Sequence, residues 1–221
     1  MFTRSSLTWQ SISSMKYHPI LFSFAGVLVA ALSQLPAHAD TPIAATTIKV
    51  SAPSNTKPPL VVNTNITEAE VLAAQKAWGD ALVAISTTHE QKGQAAAKAL
   101  AEQVLDQAYG YQMGTVLFKP TLTTAPQTFR TTRAGALAYF VGGDPAFPKD
   151  KGFALKGWRK VEIQNAAIFI DGNVATTMGN VMITNKAGEV TTVDKTWKFH
   201  KDSNGKLRIV VHHSSLPYVE K

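Results

Sequence analysis

An α+β fold, with N-terminal helices packed in a curved antiparallel sheet, is what this sequence predicts, on three observations. Apolar residues recur at helical spacing from Thr67 to Ala108 and again through "RAGALAYFVGG"; strand-like alternation takes over from Val161 onward. The later runs are joined by Asp171-Gly172, by "NKAG" and by Ser203-Asn204-Gly205. Asp-Gly and Asn-Gly between alternating apolar runs are hairpin signals. Helices first and a meander second separate into two layers, and a curled sheet backed by helices leaves a pocket between them.

The elements follow in chain order. Arg4 and Lys16 precede the apolar run Ile20–Leu32, which is too short to span a bilayer comfortably, and then Ala37-His38-Ala39. That order is a secretory signal peptide over residues 1–39, cleaved before Asp40, with Met15 as a second plausible start. The alternative is a retained membrane anchor. Export predicts a periplasmic or secreted protein with no membrane attachment after cleavage. Residues 40–65, rich in Pro, Thr, Ser and Asn, read as a flexible lead-in. The folded domain spans residues 66–218.

Thr67-Glu68-Ala69-Glu70 has the form of a capping box. Val71, Trp78, Leu82 and Ile85 make one helical stripe, with Trp78 read as core packing. A break in "HEQKG" separates it from a second helix carrying Leu100, Val104 and Ala108. A short strand, Thr115–Thr121, precedes a third helix capped by Thr131 or Thr132 and stopped by Gly142-Gly143. "VEIQNAAIFI", "NVATTMGNVMIT", "EVTTVDKTWKFH" and "KLRIVVHHSS" are the meander.

Composition excludes several functions. The chain has no cysteine, so it has no disulfide, no thiol nucleophile and no Cys-ligated zinc. Loss of Arg4 and Lys16 with the leader takes the net charge from +7 to +5. That excess is scattered, with no basic run interleaved with aromatics, so there is no nucleic-acid footprint.

One stretch stands out. The last strand ends in His212, His213, Ser214 and Ser215. Neighbours in a strand face opposite ways, and a hairpin at Asn204-Gly205 pairs His200 near Ile209, so three histidines do not converge on zinc. No Gly-x-Ser-x-Gly elbow or oriented base supports a serine nucleophile. What is left is a hydroxyl cluster at the pocket end of a strand, suited to hold a water or a small polar ligand. Parity pairs His212 with Ser214 and His213 with Ser215. The Leu207, Ile209, Val211 stripe favours the second pair as inward, yet a sheet with two apolar faces allows the first, and both serines stay open with Ser214 preferred.

"DKTWKFHKDSNGKLRIVVHHSS" resembles the last hairpin of the association domain of calcium/calmodulin-dependent kinase II, in the nuclear transport factor 2-like superfamily. "YGYQMGTVLFKPT", "QTFRTTRAGALAYFVGG", "FPKDKGFALKGW", "GNVATTMGNV" and "GKLRIVVHHSSLPY" resemble the iota class of carbonic anhydrases, over about residues 66–218. The resemblance implies a nuclear-transport-factor-2-like cone that interconverts carbon dioxide and bicarbonate. It also implies a pocket holding a water between a threonine, a tyrosine and a serine, here Thr121, Tyr139 and Ser214 or Ser215. Some members of the class are metal-free and others use manganese or zinc; the metal-free form, with no cofactor, is the expectation.

Water, with a pKa of about 15.7, is a poor nucleophile without a metal, and no hydroxyl of the cluster is a competent base. His212 or His213, adjacent to the serines, is therefore assigned a proton relay. Phe118, Leu122 and Phe140 flank the cluster as an apolar wall for carbon dioxide. A homodimer through the outer sheet face follows from the aromatic content of "TTVDKTWKFH". The rival readings are a non-catalytic ligand-binding or oligomerisation module of the kinase-association kind, and another enzyme on the same cone with Asp171 or Asp194 as base.

Overall fold

The structure, a computed structural model, describes residues 63–220. The predicted signal peptide and most of the lead-in lie outside the described residues. Helix α1 (Glu68–Ala108) opens with the expected capping box: Thr67 Oγ1 accepts from the Glu70 N–H at 3.3 Å, and Glu70 Oε2 accepts from the Thr67 N–H at 2.8 Å. The two helices expected here are two arms of α1 that meet at Gly93, whose φ of 80° and ψ of −177° break the helix. Only glycine takes that φ at no steric cost. The first arm buries Val71, Trp78, Leu82 and Ile85. In the second arm the expected stripe is displaced by one residue. Ala97, Ala101 and Leu105 are buried, because the alanines allow close approach, and Leu100, Val104 and Ala108 flank them half-buried.

Strand β1 (Leu117–Lys119) is followed by α2 (Arg133–Val141), capped by Thr132 and ended at Gly142, then by a 3-10 turn at Phe153–Leu155. Strands β2 (Trp158–Asp171), β3 (Val174–Asn185), β4 (Val190–Lys201) and β5 (Leu207–Ser215) form the predicted antiparallel meander. The sheet order is β1-β5-β4-β3-β2. The edge strand departs from expectation, since β1 runs parallel to β5, with Leu117 opposite Val211 and Lys119 opposite His213. Tyr109 at the end of α1 already lies parallel to Ile209, so the chain leaves the helix travelling along β5. Among the described residues no helix is long and apolar enough to cross a membrane.

Two bulges shape the sheet. In β2 the ladder steps past Ala166, opposite Gly179. A Cβ on Gly179 would collide with the Gln164 carbonyl oxygen, so glycine is required by close backbone approach. In β5, Val211 sits opposite Lys198 and Ile209 opposite Phe199, leaving Val210 as the extra residue. A bulge of one residue reverses which side chains face inward beyond it. Ile209 is buried before the bulge, and His212 and Ser214 after it. The β4–β5 turn is longer than two residues, with Lys201 opposite Leu207, so His200 stands opposite Arg208, one residue from the expected Ile209.

The inner face of β4 carries Val193, Lys195, Trp197 and Phe199, all buried. The aromatics that motivated a dimer therefore fill the core. The outer face instead exposes Phe169 at 70% and Met178 at 61%. The loops on either side of α2 are joined by a buried ion pair, in which Arg130 Nε and Nη2 each donate at 2.8 Å to the Asp150 carboxylate.

The bulge predicts a reactivity pattern on a background free of native cysteine. His213→Cys is expected to react readily with a thiol reagent in the folded protein, and Ser214→Cys only after denaturation. Equal labelling rates would contradict the register.

Candidate functional site

Three elements each deliver one hydroxyl. The turn after β1 carries Thr121, α2 carries Tyr139, and the strand beyond the Val210 bulge carries Ser214. Thr121 Oγ1 and Ser214 Oγ are 2.6 Å apart, one donating to the other. Tyr139 O accepts a long 3.5 Å contact from the Leu122 N–H. Burial holds the Tyr139 hydroxyl far above the usual tyrosine range, against weaker opposition from the Leu122 N–H and from Thr121. Tyr139 is thus a donor at neutral pH. Lys119 fixes the frame by donating to the Ser214 carbonyl at 3.0 Å.

Phe118 is the hub of the wall. Its ring lies 4.4 Å from that of His212, 5.7 Å from Tyr139 and 5.7 Å from Phe140, centroid to centroid. Phe140 is buried beside Tyr139, whereas Leu122 is 47% exposed and sits at the rim rather than in an enclosed wall. Phe153, which the sequence did not single out, stacks on Tyr139 at 5.3 Å. A cavity of about 140 Å³ opens beside Tyr139, lined also by Leu122, Phe153, Lys149, Lys151 and Lys156.

Of the four residues ending β5, the structure turns His212 and Ser214 into the core and leaves His213 exposed and Ser215 half-buried on the other side. The apolar stripe that favoured Ser215 is interrupted by the bulge at Val210. His212 is held at both ring nitrogens: Nδ1 lies 2.8 Å from Tyr109 Oη, and Nε2 lies 2.7 Å from Lys195 Nζ. Trp78 Nε1 donates to Tyr109 Oη at 3.0 Å, so Trp78 is a polar anchor as well as core. Burial, then the charges of Lys195 and His213, depress the His212 pKa well below 6.5. Burial alone brings Lys195 down to about 7.

Lys195, Tyr109 and Lys119 were missed by the sequence reading. Lys195 was detectable, since it interrupts the Val193, Trp197, Phe199 stripe with a cation on the apolar face. Asp171 and Asp194 are exposed, Asp171 at the β2–β3 turn and Asp194 bonded to Asn180 on the outer face. Among the described residues no three His, Cys, Asp or Glu side chains are grouped to hold a metal ion.

A family model for metal-independent carbonic anhydrase matches residues 69–216. A metal-independent carbonic anhydrase from Nostoc sp. (strain PCC 7120 / SAG 25.82 / UTEX 2576) is 67% identical over 199 residues, covering 90% of this chain and 96% of that protein. The crystal structure of an iota-carbonic anhydrase from a cyanobacterium, complexed with bicarbonate, is 74% identical with a TM-score of 0.72, over 75% of this chain and 100% of that one. A structure described as a calcium/calmodulin-dependent protein kinase II association domain, from Xanthomonas campestris, is 23% identical with a TM-score of 0.46, over 72% of this chain and 95% of that one.

The buried lysine sets a pH dependence of stability. Between pH about 7 and the unfolded lysine value near 10.5, the unfolded chain binds a proton at Lys195 that the folded protein does not. Folding stability therefore gains from this group as pH rises through that window, by a few kcal/mol in all. Urea unfolding of wild type and Lys195→Met at pH 7 and pH 10 checks this: only the wild type is expected to gain the increment.

Proposed function

The chain belongs to the metal-independent carbonic anhydrases, and from that premise we propose that it hydrates carbon dioxide with a water held between Thr121, Tyr139 and Ser214. The observation that carries the reading is the convergence of three buried or part-buried hydroxyls from three elements, walled by Phe118, Phe140 and Phe153. The family itself sets aside a purely structural association module.

The chemistry is a single addition. The water oxygen attacks the carbon of carbon dioxide, one C–O bond forms, and an electron pair of a C=O bond moves to oxygen. An O–H bond of the water breaks as its proton passes to a base beside the inward end of β5, leaving bicarbonate. In the Thr121–Ser214 pair one hydroxyl donates to the other, which leaves one hydrogen and free lone pairs to orient the water. Tyr139, kept protonated by burial, is suited to donate to the oxygen on which charge develops. An apolar enclosure favours uncharged carbon dioxide, and Lys149, Lys151 and Lys156 beside the opening favour anionic bicarbonate at the mouth. Bicarbonate bound to the 74% identical iota-class structure supports the same ligand here. His212 is the inward-facing histidine, and with both ring nitrogens already bonded it is suited to position a proton acceptor rather than to act as the relay itself.

We also propose export of the chain, with Asp40 as the mature N-terminus, and pairing of two copies through the outer sheet face that exposes Phe169 and Met178. N-terminal sequencing of periplasmic or secreted protein, and its mass by light scattering, decide these points; an intact residue 1 or 15 on membranes, or a monomeric mass, overturns them.

Thr121→Ala, Tyr139→Phe and Ser214→Ala are each expected to lower kcat/KM for hydration by roughly ten- to a hundredfold, the loss of one orienting hydrogen bond. Ser215→Ala is expected to be mild, and chelation to leave the wild type active. Stopped-flow hydration assays read all five. Full activity in the three hydroxyl variants counts against the water-holding reading, and a chelator-dead, metal-rescued wild type assigns the nucleophile to a metal.

A further inference from the structure

Among the described residues two cations are buried, Arg130 and Lys195; Arg130 is paired with Asp150, and Lys195 is left without a task by the addition step. Lys195 is 5% exposed and has no carboxylate partner among the described residues. Its ammonium position lies over two indole faces, 4.9 Å from the Trp78 centroid and 5.3 Å from that of Trp197. Across the sheet it stands directly opposite Ser214, on the same inward face, where paired Cβ atoms are about 5 Å apart. The titratable groups around it are His212 and His213 of β5 and Tyr109 at the end of α1; β3 contributes Gly179 opposite it.

The direction of the hydrogen bonds constrains what Lys195 can be. Trp78 Nε1 only donates, so Tyr109 Oη accepts from it. Two arrangements then remain. If Tyr109 donates to His212 Nδ1, the ring hydrogen is on Nε2 and points at Lys195, which must be a neutral amine to accept it. If His212 Nδ1–H donates to Tyr109, Lys195 donates to Nε2 and keeps either a lone pair or a third hydrogen for the pocket. A neutral Lys195 satisfies both arrangements, and a charged one only the second.

We infer that Lys195 takes the proton released in the hydration step, with His212 as the residue that positions it. This rests on the water-holding reading above. The balance is closed: the O–H bond of the attacking water breaks, its proton becomes the third N–H of Lys195, and bicarbonate leaves as the anion. The step uses the second arrangement, in which Lys195 donates to His212 Nε2 and its lone pair is free for the proton; that bond is kept throughout. The two indole faces stabilise the ammonium without a counter-ion, so the proton is not trapped in an ion pair and can return to solvent. Burial supports the assignment, since it brings the Lys195 amine to about 7 and disfavours charge on His212 still more.

The test is the pH profile of kcat/KM for hydration of the full chain. The wild type is expected to rise along a limb with a midpoint near 7. Lys195→Met is expected to lose that limb and about a hundredfold in rate at low buffer. Imidazole or small-amine buffers should restore part of the rate, and bicarbonate should still bind. Lys195→Arg, which packs similarly and stays charged, should not restore the limb. An unchanged limb and rate in Lys195→Met overturns the inference, as does a loss that no buffer relieves. If Lys195→Met does not fold, the wild type decides: with 13C-lysine labelling, one Cε resonance should titrate with the kinetic limb, and no lysine midpoint below about 9 refutes it. Hydroxyl variants that lose rate beside a fully active Lys195→Met sink this inference alone; fully active hydroxyl variants sink the reading beneath it.

Discussion

One extra residue in β5 decides which chemistry faces the interior. Without the Val210 bulge, the Leu207 and Ile209 stripe would continue to Val211 and His213, and Ser214 would lie on the outer surface with His212. With it, the strand packs aliphatic side chains against the second arm of α1 and then turns polar ones towards β1, the turn after it, Trp78 of α1 and Tyr109 at the C-terminal end of α1. The bulge lies where α1 ends: the Gly110 N–H donates to the Ile209 carbonyl at 3.0 Å, and a Cβ on Gly110 would stand 3.0 Å from Val210. The same place lets β1 enter parallel to β5, which brings Thr121 to Ser214.

Polar groups turned into a core must find partners, because an unpaired buried donor or acceptor costs roughly 1–3 kcal/mol. Ser214 finds Thr121. His212 finds Tyr109 and Lys195, and Tyr109 finds Trp78. The aromatic packing around this chain excludes water, and exclusion of water is also what shifts Tyr139 up and Lys195 and His212 down. The site's electrostatics and the fold's core are thus one construction. The Arg130–Asp150 pair holds the loops that carry Thr121 and flank Tyr139, and losing one partner of such a pair costs about 3–5 kcal/mol.

Most of the architecture was legible from local signals. The capping box at Thr67, the break ending at Gly93, the cap of α2 and every hairpin of the meander are encoded within a few residues. Thr121 and Tyr139 were legible only through a resemblance, since neither belongs to a motif with its own chemistry. What stayed hidden depends on contacts distant in sequence. A bulge at Val210 has no glycine or proline to mark it, so the alternation of "KLRIVVHHSS" pointed to the wrong serine on parity alone. The parallel entry of β1 depends on where α1 ends. Lys195 was visible as a cation on an apolar stripe, but its meaning depends on Trp78 and Tyr109, far away in the chain.

A carbonic anhydrase that does without a metal has to replace two things a metal supplies, a site for the nucleophile and a lower barrier to losing its proton. In the proposed site three hydroxyls would supply the first and none the second: Ser and Thr do not ionise in this range, and burial moves Tyr139 the wrong way. A carboxylate base would bring a permanent negative charge beside the developing bicarbonate. An unpaired lysine in a dry pocket avoids that. It is neutral when it accepts the proton and positive when the product is negative, so proton transfer creates attraction just as charge appears on the substrate. The requirement is a lysine whose charged form is destabilised by several kcal/mol without an acid nearby to restore it. Trp78 and Trp197 meet this requirement, because their ring faces tolerate a cation yet bind it too weakly to hold the proton.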